Sequence, residues 1–145
     1  MVVLQNPILR AGLTFWPVLM AVAVLNGVAR TQIWEQMLAK RTAEWLSVLI
    51  LLILLYALIA WFLARRERRY SVSDLWRLGA LWTAMSFIFE LALFHWAYGL
   101  PLDVLLATYN PLSGKPWSEA LLGLFIGPRL VGAWMDAKRR HGEDP

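Results

Sequence analysis

The chain has no cysteine, which excludes disulfides, thiolate metal ligands and cysteine nucleophiles, and removes the usual guide to redox compartment. Histidine is scarce: His95 and His141 are the only two, which argues against a zinc or haem centre. No other cofactor can be named from the residues. Internal repeats, low-complexity tracts and polar linkers are also missing, so residues 1–145 read as a single domain. The long apolar runs contain almost no charge.

What remains is strongly apolar. Hydrophobic residues make up 59% and aromatic residues 13% of the chain, and the mean hydropathy is +0.53. A soluble core of this size does not need that much apolar surface, so the excess must meet lipid. Four runs, at about 12–29, 45–63, 79–98 and 118–135, each supply roughly the 17–25 residues that a bilayer requires. The expected fold is an all-α, polytopic four-transmembrane-helix bundle. The first run follows Arg10 and contains a cleavage-like Ala21-Val22-Ala23, but its apolar stretch continues past that point, as a retained helix does. The fourth is interrupted by Gly127-Pro128-Arg129; a proline removes one backbone hydrogen bond, which predicts a kink or an early end there.

The net charge of +4 does not point to nucleic acid, because the basic residues sit at the edges of the apolar runs. With both termini inside, Arg10, Arg65, Arg66, Arg68, Arg69, Arg77, Lys138, Arg139 and Arg140 are cytoplasmic, against Arg30, Lys40, Arg41 and Lys115 outside. Nine against four fixes the expected orientation. Trp16, Trp45, Trp61, Trp82, Trp96, Trp117 and Trp134 all fall near span ends, where interfacial anchors sit. Short interfacial helices are expected in the outer loops: Ile33, Trp34, Met37 and Leu38 recur at helical spacing, and Leu102 to Tyr109 is apolar enough to touch the membrane. That second loop reads as a surface connection, a lid or a shallow re-entrant segment.

Glu90 is the first candidate site residue, because a carboxylate inside a span costs several kcal/mol unless it is protonated, paired or hydrated. Gly79, Thr83, Ser86 and Glu90 form one small, polar stripe; Trp82, Phe89 and Trp96 form an aromatic stripe on another side, which is expected to face lipid. Depth counted at about 1.5 Å per residue puts Glu90 roughly 16 Å and Arg129 roughly 9 Å above the cytoplasmic edge, which makes Arg129 the first-ranked partner and Arg30 the second. Asn26 and Arg30 share a face at i and i+4, with Gly27 between them leaving room for another backbone. A planar guanidinium fork beside an amide suits a lipid phosphate, a carboxylate or a quinone carbonyl, and equally suits helix cross-linking and outer-leaflet phosphates.

Tyr109, Asn110 and Trp117 are placed to close over that outer pocket, or simply to form a turn and an anchor. His95 lies five residues from Glu90, roughly 140° around the helix, too far for a direct relay. Ala120, Gly123 and Gly127 form a small-residue face for packing within the chain or between protomers. The basic run from Arg65 to Arg69 sets topology and has the chemistry of an anionic-lipid contact.

The order of Asn26-Gly27 with Arg30, Phe89-Glu90, Tyr109-Asn110, Gly114, Trp117 and Pro128 resembles a family of small four-span bacterial membrane proteins of unassigned function. In that family an Asn-Gly-x-x-Arg-Glu element, an intramembrane Phe-Glu and a Tyr-Asn loop recur. This chain departs from it in having Thr31 in place of the glutamate. The resemblance implies a bacterial inner membrane and a polar cluster. Three function classes fit the residues in descending order. One is a non-enzymatic protein that binds a lipid- or quinone-like amphiphile or serves as accessory subunit of a larger membrane complex. Another is a homodimeric proton- or cation-coupled transporter or channel using Glu90, and the last a lipid-modifying enzyme. Catalysis ranks last because single polar residues at different depths assemble no nucleophile, base and oxyanion donor. Membrane lipids are the expected partners in every case.

Overall fold

A computed structural model describes residues 6–66, 70–108 and 116–142, without the side chains of Tyr98 and Leu105. Helix α1 (Pro7–Ala29) continues through a π-helical turn (Arg30–Trp34) into the short α2 (Glu35–Met37); α3 (Lys40–Ala64), α4 (Val72–Tyr98), α5 (Leu102–Thr108) and α6 (Trp117–Gly142) follow. Four helices are long and apolar enough to cross a membrane. The protein is an all-α, multi-pass membrane protein built as a four-helix bundle.

Local chemistry sets the helix ends. The Asn6 side chain accepts from the Ile8 N–H at 3.1 Å, and Pro7, which has no N–H to satisfy, begins α1. Ser71 and Asp74 form a reciprocal capping box on α4, with the Ser71 N–H donating to the Asp74 carboxylate at 2.8 Å. Asn6 also donates to Asp74 at 2.6 Å, so the same carboxylate ties the starts of α1 and α4 together. At the other end of α4, Gly99 adopts φ 65°, a left-handed conformation that glycine takes without a Cβ penalty.

The long helices pack in the ring order α1–α3–α6–α4, which places α3 and α4 on a diagonal. Contacts between Gly12 and Trp82 and between Trp16 and Ser86, both 70 residues apart, run α1 parallel to α4. Contacts between Phe15 and Phe62 and between Asn26 and Ser47 run α1 antiparallel to α3. The start of α1, the end of α3, the start of α4 and the end of α6 therefore lie on one face of the bundle, called here the terminal face.

Leu19, Ile59, Phe62, Leu63, Leu78 and Trp82 are fully buried. Across the diagonal, Phe62 and Trp82 meet edge to face at 5.5 Å, and Phe15 stacks on Phe62 at 4.9 Å. Outside this core, Leu25, Leu49, Ile53, Ile88, Leu122 and Trp134 are exposed on the lipid-facing sides. On α6, Gly123 packs on Leu52 and Gly127 on Tyr56 and Ile59, so the small-residue face closes within the chain. Gly79 lies so close to α6 that a Cβ would fall on the Phe125 carbonyl.

Several local expectations change. Trp82 is a core residue with 0% exposure, because its indole N–H finds the Gly12 carbonyl at 2.9 Å; an indole satisfied inside the bundle has no need of the interface. Phe89 is half-buried against Trp16 at 5.7 Å, whereas Trp96 is 83% exposed. The aromatic stripe thus rotates from core to surface along α4. Pro128 does not end its helix, which runs on to Gly142. The segment around Ile33 is joined to α1 without a break, since no glycine or proline follows Gly27 until well past Met37.

Candidate functional site

Two polar clusters occupy the half of the bundle away from the terminal face, each on its own seam. The first joins α1 to α3. Asn26 is buried and donates from Nδ2 to the Ser47 hydroxyl at 2.7 Å and to the Ser47 carbonyl at 3.1 Å. One turn further, Arg30 begins the π-helical turn, and its Nε lies 3.8 Å from Glu35 while Nη1 lies 3.9 Å from Glu44. The π turn matters because widening the helix there lets the Glu35 side chain reach back toward Arg30. Thr31 does not replace the missing acid: its hydroxyl donates back to the Val28 and Gly27 carbonyls. The carboxylates come instead from four residues later and from the start of α3. Gly27, expected to admit a neighbouring backbone, has nothing within 4 Å of its Cβ position.

The second cluster joins α4 to α6. Glu90 is half-buried, and its carboxylate accepts from the Trp117 indole N–H at 2.8 Å. The stripe below it turns into the bundle: Ser86 is buried and accepts from Trp16 at 3.2 Å, and the Thr83 hydroxyl donates to the Leu121 carbonyl at 3.5 Å. Trp117 opens α6, so the cluster sits at the mouth between α4 and α6. The exposed Leu102, Val104 and Leu106 of α5 belong to the connection that follows α4.

Arg129 does not join Glu90. Gly79 faces Phe125 and Leu75 faces Gly132, which sets Arg129 level with the first turns of α4 and about 20 Å along the axis from the carboxylate. The expected depths fail because the start of α4 and the end of α6 are not level: Leu75 meets Gly132, so α6 runs on to Gly142 beyond the first turn of α4, and helix ends are the only depth marks a sequence offers. Arg129 is half-buried near the terminal face. Arg30 is not the partner either. The 70-residue offset between α1 and α4 places Glu90 level with Met20, about 15 Å from Arg30. The two clusters are therefore separate.

Tyr109 and Asn110 lie outside the described residues, as do Arg68, Arg69 and Lys115. His95 caps the end of its own helix, with Nδ1 2.9 Å from the Leu100 carbonyl, which requires the proton on Nδ1. Sequence reasoning missed Ser47, Glu35 and Glu44 as partners and read Trp117 as a cover for the Asn26–Arg30 pocket or an anchor, not as a donor to Glu90. Glu44 and Ser47 at i and i+3 form a polar start to the otherwise apolar α3, and that was the available signal. The chain matches no protein-family model, no curated protein and no solved structure.

Proposed function

We propose that the protein is a non-enzymatic amphiphile-binding protein of a bacterial inner membrane, with both termini cytoplasmic, acting alone or as an accessory subunit of a larger membrane complex. The head of a lipid- or quinone-like ligand sits at the mouth between α4 and α6, where Glu90 accepts hydrogen bonds from hydroxyl or ammonium groups. Its apolar tail lies along the exposed faces of α4 and α5. The observation that carries this reading is the Trp117 indole held 2.8 Å from the Glu90 carboxylate. That donor orients an anion inside a helical span, where an unassisted carboxylate is costly.

Binding is favoured over transport by the way the bundle is filled. Trp82, Phe62, Leu78 and Leu19 occupy its middle, and the buried Asn26 and Ser86 are engaged across helix seams. A carrier needs a hydrated route through that layer, and Glu90 and Arg129 stand at different heights with the core between them. The cytoplasmic placement of the termini rests on the nine-to-four excess of basic residues.

Native mass spectrometry on protein gently extracted from its own membrane tests the reading. A stoichiometric amphiphile retained by wild type, and reduced by Glu90→Gln with the helical content unchanged, is expected. A bare protein that drives proton or cation flux in liposomes, with flux abolished by Glu90→Gln, would overturn it in favour of transport.

A further inference from the structure

The terminal face carries a second set of residues with ligand-binding chemistry, distant from Glu90. On α6, Trp134, Met135, Lys138 and Arg139 line an open groove of about 400 Å³. Met135 packs against the core and forms its apolar wall, while Trp134 is exposed. The Lys138 ammonium stands 5.5 Å from the centre of the Trp134 ring, within the range of a cation–aromatic attraction. Just past the end of the neighbouring α3, Arg66 lies over the Phe62 ring at 4.7 Å and Arg65 over Trp61 at 4.3 Å. The Arg66 Nε is buried and makes no hydrogen bond among the described residues, an unmet donor of the kind that normally finds a partner. Contacts of Gly123 with Leu52 and of Gly127 with Ile59 run α3 parallel to α6, and the same register sets Arg66 level with Trp134 and Met135.

We propose that this end of the α3–α6 seam binds one anionic phospholipid, its phosphodiester held by Lys138 and Arg139 and an acyl chain lying over Trp134 and Met135. The groove joins cationic and apolar walls at the edge of the lipid-facing band, which matches a headgroup attached to a chain. A soluble anion would leave the Trp134 wall unused. Holding Lys138 over an aromatic ring also keeps its charge at headgroup height instead of extended into water. Arg65 and Arg66 add positive field in the same layer, and each basic side chain near an anionic surface strengthens binding several-fold.

The test uses the full chain in detergent, stripped of endogenous lipid and titrated with phosphatidylglycerol or with phosphatidylcholine of the same acyl chains, read by native mass spectrometry. One phosphatidylglycerol per chain is expected to survive, in strong preference to phosphatidylcholine. Combining Lys138→Ala and Arg139→Ala should weaken retention about thirtyfold. Combining Arg10→Ala and Arg140→Ala removes the same charge outside the groove and should leave retention near wild type. Equal losses in the two double variants, equal retention of the zwitterionic lipid, or displacement of the lipid by excess inorganic phosphate would each overturn the assignment. Glu90→Gln should leave this retention intact, so the outcome is separate from that for the α4–α6 mouth.

Discussion

The Trp82 indole reaches across from α4 and donates to the Gly12 carbonyl of α1 at 2.9 Å. A Cβ at Gly12 would strike Leu78 and crowd the indole nitrogen, so the bond exists because residue 12 has no side chain. It is the middle of three along this seam, with Asn6 to Asp74 on one side and Trp16 to Ser86 on the other. Together they hold two parallel helices in register. Hydrogen bonds between helices do this well in lipid, where apolar side chains gain little by leaving the surrounding tails.

Replacing Trp82 tests that seam. Trp82→Phe removes the donor while keeping most of the ring, and should cost about 1 kcal/mol. Trp82→Ala opens a cavity in the centre of the core and should cost about 3–5 kcal/mol. Denaturant-induced unfolding in detergent micelles measures both, and equal losses would contradict the ordering.

The Asn26–Ser47 clamp calls for a double-mutant cycle. Asn26→Ala and Ser47→Ala should each destabilise the fold, with a coupling of about 0.6 kcal/mol and at most about 1.7 kcal/mol. Additive losses would mean that the 2.7 Å contact contributes nothing specific.

Two glycines of similar sequence context should behave differently. At Gly79 a methyl group meets the Phe125 carbonyl, part of a rigid backbone, whereas at Gly123 it meets the terminal methyls of Leu52, which can rotate. Gly79→Ala should therefore push α4 from α6 and sharply lower the yield of folded protein, costing about 1–3 kcal/mol or more. Gly123→Ala should be milder. Yield and melting temperature in detergent rank the two.

Orientation can be read chemically because the chain has no native cysteine. Gln36 and His141 are both exposed and lie at opposite ends of the bundle. With cytoplasmic termini, Gln36→Cys should react with a membrane-impermeant maleimide in intact cells or spheroplasts, and His141→Cys only after permeabilisation. The reverse pattern would invert the topology.

The sequence by itself determined the class of the protein. Four apolar runs of helical span length point to helices, which bond every backbone amide within their own segment in lipid. It also singled out Asn26, Arg30 and Glu90 as polar groups out of keeping with their surroundings. Only the tertiary structure decided which groups meet, because partnership depends on register and rotation between helices, and a run of leucines and valines leaves both open. Glu90 faces Trp117 and not Arg129 because Gly79 docks on Phe125, which shifts α6 by several turns from the depth that its sequence limits imply. Arg30 finds Glu35 across a π turn, and Glu44 because α3 packs antiparallel on α1 in the register that pairs Asn26 with Ser47. Trp82 enters the core because Gly12 leaves room for it. Each of these depends on contact between surfaces far apart in the chain, and that is where the local pattern of the sequence stops informing.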